Sequence, residues 1–274
     1  MDTLWIIVLL GYALCVAQSI YALTTKRPAR AGLSLGALAI ALGVHTSWLL
    51  LRGIRTGRCP LVGTQEMCAF LSWSLAVSYL IAYRWFHANA LKAFIFPIVL
   101  VLATIAAIAP GTTGRPDGLN NPLQSVLFPV HAGLILLAYA AFFIAFGAGV
   151  MYIIQERELK SKRFGTMFYK LPSLDTCDTI SFKSLAIGFG LLTLGIAAGI
   201  YWQGLRSGRF WQGDPTEIFS VVTWVIYLLI IQSRMNAGWR GRTAALASIV
   251  SFLIVICSLV GVRYLGPGTL HPFG

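Results

Sequence analysis

Long runs of apolar residues dominate this sequence and limit the folds that it can form. The first run, LWIIVLLGYALCVA, contains no charged side chain. An α-helix needs about 20 such residues to cross the hydrocarbon core of a bilayer. Over the whole chain, 57% of the residues are hydrophobic and only 11% are charged, whereas soluble domains carry about 25% charged residues. The sequence therefore predicts an all-α, polytopic membrane protein and excludes a soluble domain.

Eight apolar segments are long enough to be transmembrane helices, and together they predict one integral membrane domain over 1–274. The first segment has no basic residue before it, so we interpret it as a retained helix and not as a signal peptide. The eight segments are 3–24, 31–51, 64–83, 90–109, 125–154, 183–203, 217–234 and 243–264.

Lysine and arginine are distributed unevenly between the links, which predicts the orientation of the helices. The links after segments one, three, five and seven contain twelve basic residues, and the other three links contain six. Because cytoplasmic loops are the richer in basic residues, we expect the first set inside a bacterial cytoplasmic membrane and both termini outside. The net charge of +12 then reflects topology and contact with membrane lipid, and no nucleic acid is expected as a partner. The long link 156–182 is cytoplasmic in this orientation, and its ERELKSKR run is expected to extend the fifth helix.

Three of the four histidines lie at or toward the outer face in this topology. His131 begins the fifth segment, His271 lies in the C-terminal tail, and His45 lies in the outer half of the second segment. His87 lies in a short cytoplasmic link. An ionisable side chain at membrane depth is costly unless it is paired, so it is a candidate functional residue. The alternative for each histidine is a hydrogen-bonded interfacial residue, which is favoured for His45 and His87.

The outer link 202–216 combines aromatic and basic residues. Aromatic faces beside guanidinium groups suit a flat, apolar macrocycle with carboxylates, which is the shape of haem. The alternative is an aromatic belt at the level of the lipid headgroups. The DPTE segment predicts a helix start, with Asp214 as the N-cap, Pro215 at the first helical position and Glu217 completing a capping box. The aromatic and basic candidates are Trp202, Phe210, Trp211, Arg206 and Arg209.

Glu66 and the cysteines are assigned structural roles. Glu66 opens the third segment, where its carboxylate is expected to pair with Arg52, Arg55 or Arg58, although a role in the site stays open. The five cysteines contain no C-x-x-C pair, which argues against thiol–disulfide exchange and zinc binding. Because no nucleophile, general base pair or phosphate loop stands out, an autonomous enzyme is not expected.

These residues resemble the CcsA/HemX/YpjD-type family of cytochrome c assembly proteins. The stretch FPVHAGLILLAYAAFF is similar to the family's histidine-bearing helix, and CPLVGTQEMCAFLSW is similar to the opening of its third span. GRFWQGDPTEIF lies where the family has its tryptophan-rich loop, and GVRYLGPGTLHPFG resembles the family's ending with a terminal histidine. The resemblance implies that His131 and His271 ligate the iron of haem b and that the loop over 202–214 lies between them.

The resemblance also implies the roles of the surrounding residues and the partners. A CcsB-like membrane protein and an apocytochrome c are the implied partners. Trp202, Phe210 and Trp211 would stack on the porphyrin, while Arg206 and Arg209 would meet its propionates.

The function that these residues favour is haem binding and handling at the outer membrane face during c-type cytochrome assembly. Three alternatives stay open: a HemX-like regulator of haem synthesis acting through 156–182, a scaffold subunit without a cofactor, and a haem-attaching synthetase that works with a CcsB-like partner. Only one of the family's three loop tryptophans, Trp211, is present, and Gln232 stands where CcsA has a membrane-embedded histidine. These differences favour the HemX-like or YpjD-like branches.

Overall fold

The computed structural model describes residues 3–25, 31–111, 122–162, 165 and 168–265. Within these ranges the regular structure is helical, with one 3-10 turn at Asn89–Leu91 and no strand. The predicted all-α class is therefore confirmed. The helices are α1 (Thr3–Thr24), α2 (Ala31–Thr56), α3 (Gly63–Phe86), α4 (Lys92–Ile108), α5 (Pro122–Ser161), α6 (Leu174–Ser207), α7 (Pro215–Asn236) and α8 (Arg242–Leu265).

Seven of these helices, α1 to α7, are long and apolar enough to cross a membrane, which confirms a polytopic membrane protein. The last helix, α8, has 24 residues. The part of it over 242–257 is also apolar. The longest helix is α5, with 40 residues, because the first part of the ERELKSKR run continues it beyond the apolar segment. This extension was predicted from the sequence.

Three helix ends differ from the sequence prediction, and a local cap explains each. Helix α2 continues past residue 51 and stops at Gly57, which takes φ +62°. Helix α6 begins after Ser173, whose hydroxyl accepts a hydrogen bond from the Thr176 N–H at 3.2 Å. The same helix ends at Gly208, with φ +70°. The connection predicted over 156–182 is thus reduced to 162–173, and the loop predicted over 202–216 is reduced to 208–214.

Helix α5 is the central element of the bundle, and small side chains let its neighbours approach closely. It contacts α6, α8 and α3, and Ala138 and Ala145 on its surface are fully buried. Helix α1 packs against α2 and α4, and α3 packs against α4. Helix α7 is peripheral, since only its Thr223 and Tyr227 side chains are buried.

Contacts between distant segments identify the helix ends that lie together. At one end of the bundle, Lys170 donates to the backbone carbonyl of Thr25 after α1, and Arg234 of α7 pairs with Asp178 of α6. Because the eight helices alternate in direction, the start of α1 and the end of α8 both lie at the opposite end. The first residue of α1 and the last residue of α8 therefore lie on the same side of the bundle, as the predicted topology requires.

Candidate functional site

His131 lies in the third turn of α5 and directs its ring at α6. Its Nδ1 atom is 2.7 Å from the backbone carbonyl oxygen of Gly195. Because a carbonyl oxygen only accepts hydrogen bonds, Nδ1 carries the proton in this arrangement and the lone pair of the ring is on Nε2. A metal-ligating histidine is commonly oriented in this way, by a backbone carbonyl that accepts from its other nitrogen.

Glycines of α6 make the close contact with His131 possible. A Cβ atom at Gly199 would lie 2.6 Å from His131 Nδ1. Further along the same interface, a Cβ atom at Gly188 would lie 2.5 Å from the ring of Phe142. Such distances are too short for real atoms, so α5 and α6 pack this closely only because the α6 face lacks side chains at these positions.

An open cleft lies beside His131, between the neighbouring ends of α6 and α7. Four of the residues predicted from the sequence line it: His131, Trp202, Phe210 and Trp211. The remaining lining residues are Ile196, Gly199, Ile200 and Gln203 from α6, Asp214 from the loop, and Thr216, Glu217, Ser220 and Val221 from α7.

Backbone hydrogen bonds fix the loop of the cleft onto the start of α7. Asp214 Oδ1 accepts a hydrogen bond from the Glu217 N–H at 2.9 Å, which confirms the predicted N-cap. The Glu217 carboxylate accepts from the N–H groups of Gln212 and Gly213 at 2.9 and 2.8 Å. It therefore ties down the two loop residues before the N-cap, whereas a capping box would have used the N–H of Asp214 itself.

The three aromatic rings of the cleft differ in the surface that they offer to a ligand. Trp202 is only 4% exposed, and its ring lies 5.3 Å from that of Phe128. The guanidinium of Arg206 lies 5.4 Å from the centre of the same indole. Phe210 and Trp211 are 62% and 50% exposed. Trp202 is therefore a fixed wall of the cleft, and the two loop rings offer most of the aromatic surface.

The two arginines predicted to meet the carboxylates of a ligand do not line the cleft. Arg206 lies against the indole of Trp202. Arg209 follows the end of α6, where its backbone N–H donates to the Ser207 hydroxyl at 3.4 Å. Both arginines lie at the same end of the bundle as the cleft, and their contact with a ligand stays a prediction.

The other histidines are placed differently. His271 lies outside the described residues. His87 ends α3 at the opposite end of the bundle, with φ 52°. His45 is fully buried on α2, where its Nδ1 lies 2.9 Å from the Tyr12 hydroxyl and its ring meets Trp5 edge-on. His45 is thus hydrogen-bonded, as the alternative to a functional role predicted. It lies inside the helical bundle, however, and not at the membrane interface.

Glu66 forms the ion-pair cluster that the sequence predicted. Its fully buried carboxylate accepts from Arg52 at 3.0 Å and from Arg58 at 2.6 Å. The backbone N–H of Val62 donates to the same carboxylate at 3.0 Å. Arg55, the third predicted partner, is exposed on α2. These groups hold the turn between α2 and α3 and do not line the cleft, and a role of Glu66 in the site stays a prediction.

Sequence reasoning missed the polar residues of the cleft. Gln203 lies one turn after Gly199 on α6, and Ser220 lies one turn after Thr216 on α7, so each pair shares a helix face. The Thr216 hydroxyl oxygen is buried and has no hydrogen-bond partner in the described part of the chain. A search for polar residues one turn apart near the helix ends that flank the loop would have found these positions.

A family model described as Cytochrome C assembly protein matches residues 61–270. The chain belongs to this family. Curated relatives named cytochrome c biogenesis protein CcsA also match. Those from Prochlorococcus marinus strains MIT 9301 and MIT 9312 are 29% and 30% identical, each over 84% of this chain and 80% of the relative. A CcsA protein from Synechococcus sp. (strain CC9605) is 26% identical over 97% of this chain and 95% of its own length. The resemblance drawn from the motifs is confirmed.

The segment that matches the family contains the whole cleft. It begins just before α3 and includes His131, the loop and both helices that flank the loop. His45 precedes the matched segment, and His271 lies one residue beyond it. All residues that line the cleft therefore lie within the segment matched by the family model, whereas His45 lies before it.

The groups in the cleft suit an iron already held by a macrocycle. Within the described ranges, no three histidine, cysteine, aspartate or glutamate side chains are grouped to hold a bare metal ion. Asp214 and Glu217 line the cleft, but both carboxylates accept hydrogen bonds from the backbone. An iron porphyrin needs from the protein only an axial ligand and apolar walls. His131 would be available as the axial ligand, and Trp202, Phe210 and Trp211 would form the walls.

Proposed function

We propose that this protein binds haem in the cleft between α6 and α7 and handles it during cytochrome c assembly. The observation that carries the proposal is the position of His131, whose Nδ1–H is held by Gly195 in a cleft lined by aromatic rings. That bond favours the tautomer in which Nε2 can ligate iron. The membership of a cytochrome c assembly family and the CcsA relatives support the same function.

Each candidate residue has a proposed task toward the haem b cargo. His131 provides one axial ligand and His271 provides the other, which together give a six-coordinate site. The exposed rings of Phe210 and Trp211 cover the porphyrin face, while Trp202 limits how far it enters. Arg206 and Arg209 would move from their present contacts to pair with the propionates. In this scheme α5 and α6 form the rigid side of the site, and the capped loop forms the other side.

The site is proposed to face outward across a bacterial cytoplasmic membrane. The support is the distribution of basic residues, of which twelve lie in the links at the end opposite the cleft and six in the links at the cleft end. Positive residues favour the cytoplasmic side. Haem would then be handled where apocytochromes c receive it, with an apocytochrome and a CcsB-like membrane protein as partners. The whole chain, 1–274, acts as a single membrane domain in this proposal.

Spectroscopy of the full-length protein tests the proposal. Protein purified in detergent, or supplied with haemin, should show the low-spin spectrum of an iron with two nitrogen ligands. His131→Ala and His271→Ala should each produce a five-coordinate or empty form, because each removes one ligand. Added imidazole should partly restore the low-spin spectrum by filling the vacated position. Pyridine extraction of the bound pigment identifies haem b.

Two controls make the result specific. His87→Ala should leave the spectrum unchanged, because His87 lies at the other end of the bundle. His45→Ala removes a buried hydrogen bond to Tyr12 and should reduce stability without changing the spectrum of the folded fraction. If the wild-type protein neither carries haem nor takes it up at micromolar concentration, the proposal is wrong. A regulatory or scaffold role would then replace it.

A further inference from the structure

The cleft extends from the polar loop down between two membrane helices. On α6 it reaches Ile196, which lies 11 residues before the end of the helix at Ser207, or about 16 Å along its axis. On α7 it reaches Val221, six residues after Pro215, or about 9 Å along the axis. Both helices are long and apolar enough to cross a membrane. The deeper part of the cleft therefore lies within the membrane-spanning helices.

The side of the cleft between α6 and α7 is open to the surroundings of the protein. Ile200 and Val221 line the cleft and yet are 41% and 38% exposed, so the same side chains belong both to the cleft and to the outer surface. We call the opening between these two residues the slot. Where these helices cross a bilayer their outer surface faces lipid, and the slot would then connect the cleft with the bilayer.

A side-chain hydrogen bond and a ring contact fasten α6 to α7 below the slot. Trp224 Nε1 donates to the Thr193 hydroxyl at 2.9 Å, and the Trp224 ring lies 5.5 Å from that of Phe189. The next such contact is the ion pair of Arg234 and Asp178 at the far end of the helices. The Trp224–Thr193 bond therefore forms the floor of the slot.

Polarity changes along the cleft in the direction that an amphiphile needs. The loop end carries the polar groups of Gln203, Asp214 and Glu217, whereas the slot end carries Ile200 and Val221. A flat apolar ring with charged groups on one edge lies in a membrane with that edge at the headgroups. Such a molecule could move sideways into the cleft and keep both its apolar ring and its charged edge in matching surroundings.

We propose that haem enters the cleft laterally, from the outer leaflet, through the slot between α6 and α7. This inference rests on the proposed function, because it assigns a route to the same cargo. It differs from entry through the aqueous opening beside the loop, and the two routes can be compared by the way in which haem is supplied.

The test compares two haem sources for full-length protein in lipid nanodiscs. Haemin is either loaded into donor bilayers that fuse with the nanodisc lipid or supplied from water on albumin, and its uptake is followed by the Soret absorbance. Val221→Trp and Ile200→Trp fill the slot from either side. Each should lower the ratio of the bilayer rate to the aqueous rate by about tenfold, because a bulky ring would obstruct the slot, and tenfold corresponds to about 1.4 kcal/mol on the barrier to lateral entry. The ratio cancels any change in the final affinity.

Val225→Trp is the matched control, because Val225 has similar exposure, 40%, but follows Trp224 on α7, beyond the floor of the slot. Its ratio should equal that of the wild type. An unchanged ratio in both slot variants, or an equal decrease in the control, overturns the lateral route. If wild-type protein in detergent binds no haemin at all, the proposed function is refuted, and the lateral route is refuted with it. Normal binding in detergent combined with an unchanged ratio refutes the route alone.

Discussion

The sharpest test of the site uses a single methyl group at Gly199, which supports the imidazole of His131. In Gly199→Ala the new Cβ would lie 2.6 Å from His131 Nδ1 and 2.7 Å from its Cε1. These distances are about 1 Å shorter than an ordinary carbon contact. Because the neighbour on the other side is the packed face of α5, the ring must turn or the two helices must separate. Either movement lengthens the 2.7 Å hydrogen bond from Nδ1 to the Gly195 carbonyl.

The expected magnitudes separate an effect on the site from an effect on the fold. Overpacking costs about 1–3 kcal/mol, whereas alanine in place of glycine returns about 1 kcal/mol in a helix interior. The free energy of unfolding should therefore fall by about 1 kcal/mol in Gly199→Ala. Haem affinity should fall by about 10- to 100-fold, as is typical when the group that orients a metal-ligating histidine is lost.

Gly190→Ala is the matched control, since Gly190 lies on the same helix and a Cβ there would meet nothing within 4 Å. This variant should keep the wild-type affinity and gain up to about 1 kcal/mol of stability. Haemin titration followed by Soret absorbance measures affinity, and thermal unfolding in the same detergent measures stability. Wild-type haemin affinity and spectrum in Gly199→Ala would refute the reasoning that His131 is oriented by this face of α6.

Three further predictions concern the cap, the buried ion pair and the topology. Asp214→Ala removes the N-cap of α7 and should lower stability by about 1 kcal/mol; haem affinity should fall only indirectly, and lost binding with intact stability would place Asp214 in the site. Glu66→Ala leaves buried Arg58 without its carboxylate and should cost about 3–5 kcal/mol, measured by thermal unfolding. Lys160→Ala removes an exposed pair with Glu156 and should cost less than about 1 kcal/mol. Equal losses of stability in Glu66→Ala and Lys160→Ala would contradict the conclusion that burial makes the Glu66 pair more important for stability. In a background without native cysteines, a cysteine at 160 should be labelled from the cytoplasm and one at 212 from outside, and the reverse would exclude an outer haem site.

The helix count and the existence of the cap follow from local sequence. Apolar runs of membrane-spanning length predict helices without reference to any partner, because each span must satisfy its own backbone hydrogen bonds in lipid. Asp214 accepts from the Glu217 N–H, and Glu217 accepts from the N–H groups of Gln212 and Gly213, so these bonds are also local in sequence. The helix ends at Gly57 and Gly208 were misplaced because hydropathy measures the apolar stretch, whereas a helix ends where the backbone reverses.

The sequence by itself identified His131, the aromatic residues of the loop and the pairing of Glu66 with arginine. Only the tertiary structure decided that His131 lies against Gly195 and Gly199, because that contact joins residues 64 positions apart. The structure likewise decided that Trp202 is a buried wall while Trp211 is exposed. Both tryptophans are followed by Gln and Gly, but Trp202 packs against Phe128 of α5, whereas Trp211 lies in the loop beyond the end of α6. Composition and spacing predict where a single helix forms and which residues it carries. The surface of a cleft between two helices depends on how both helices are packed.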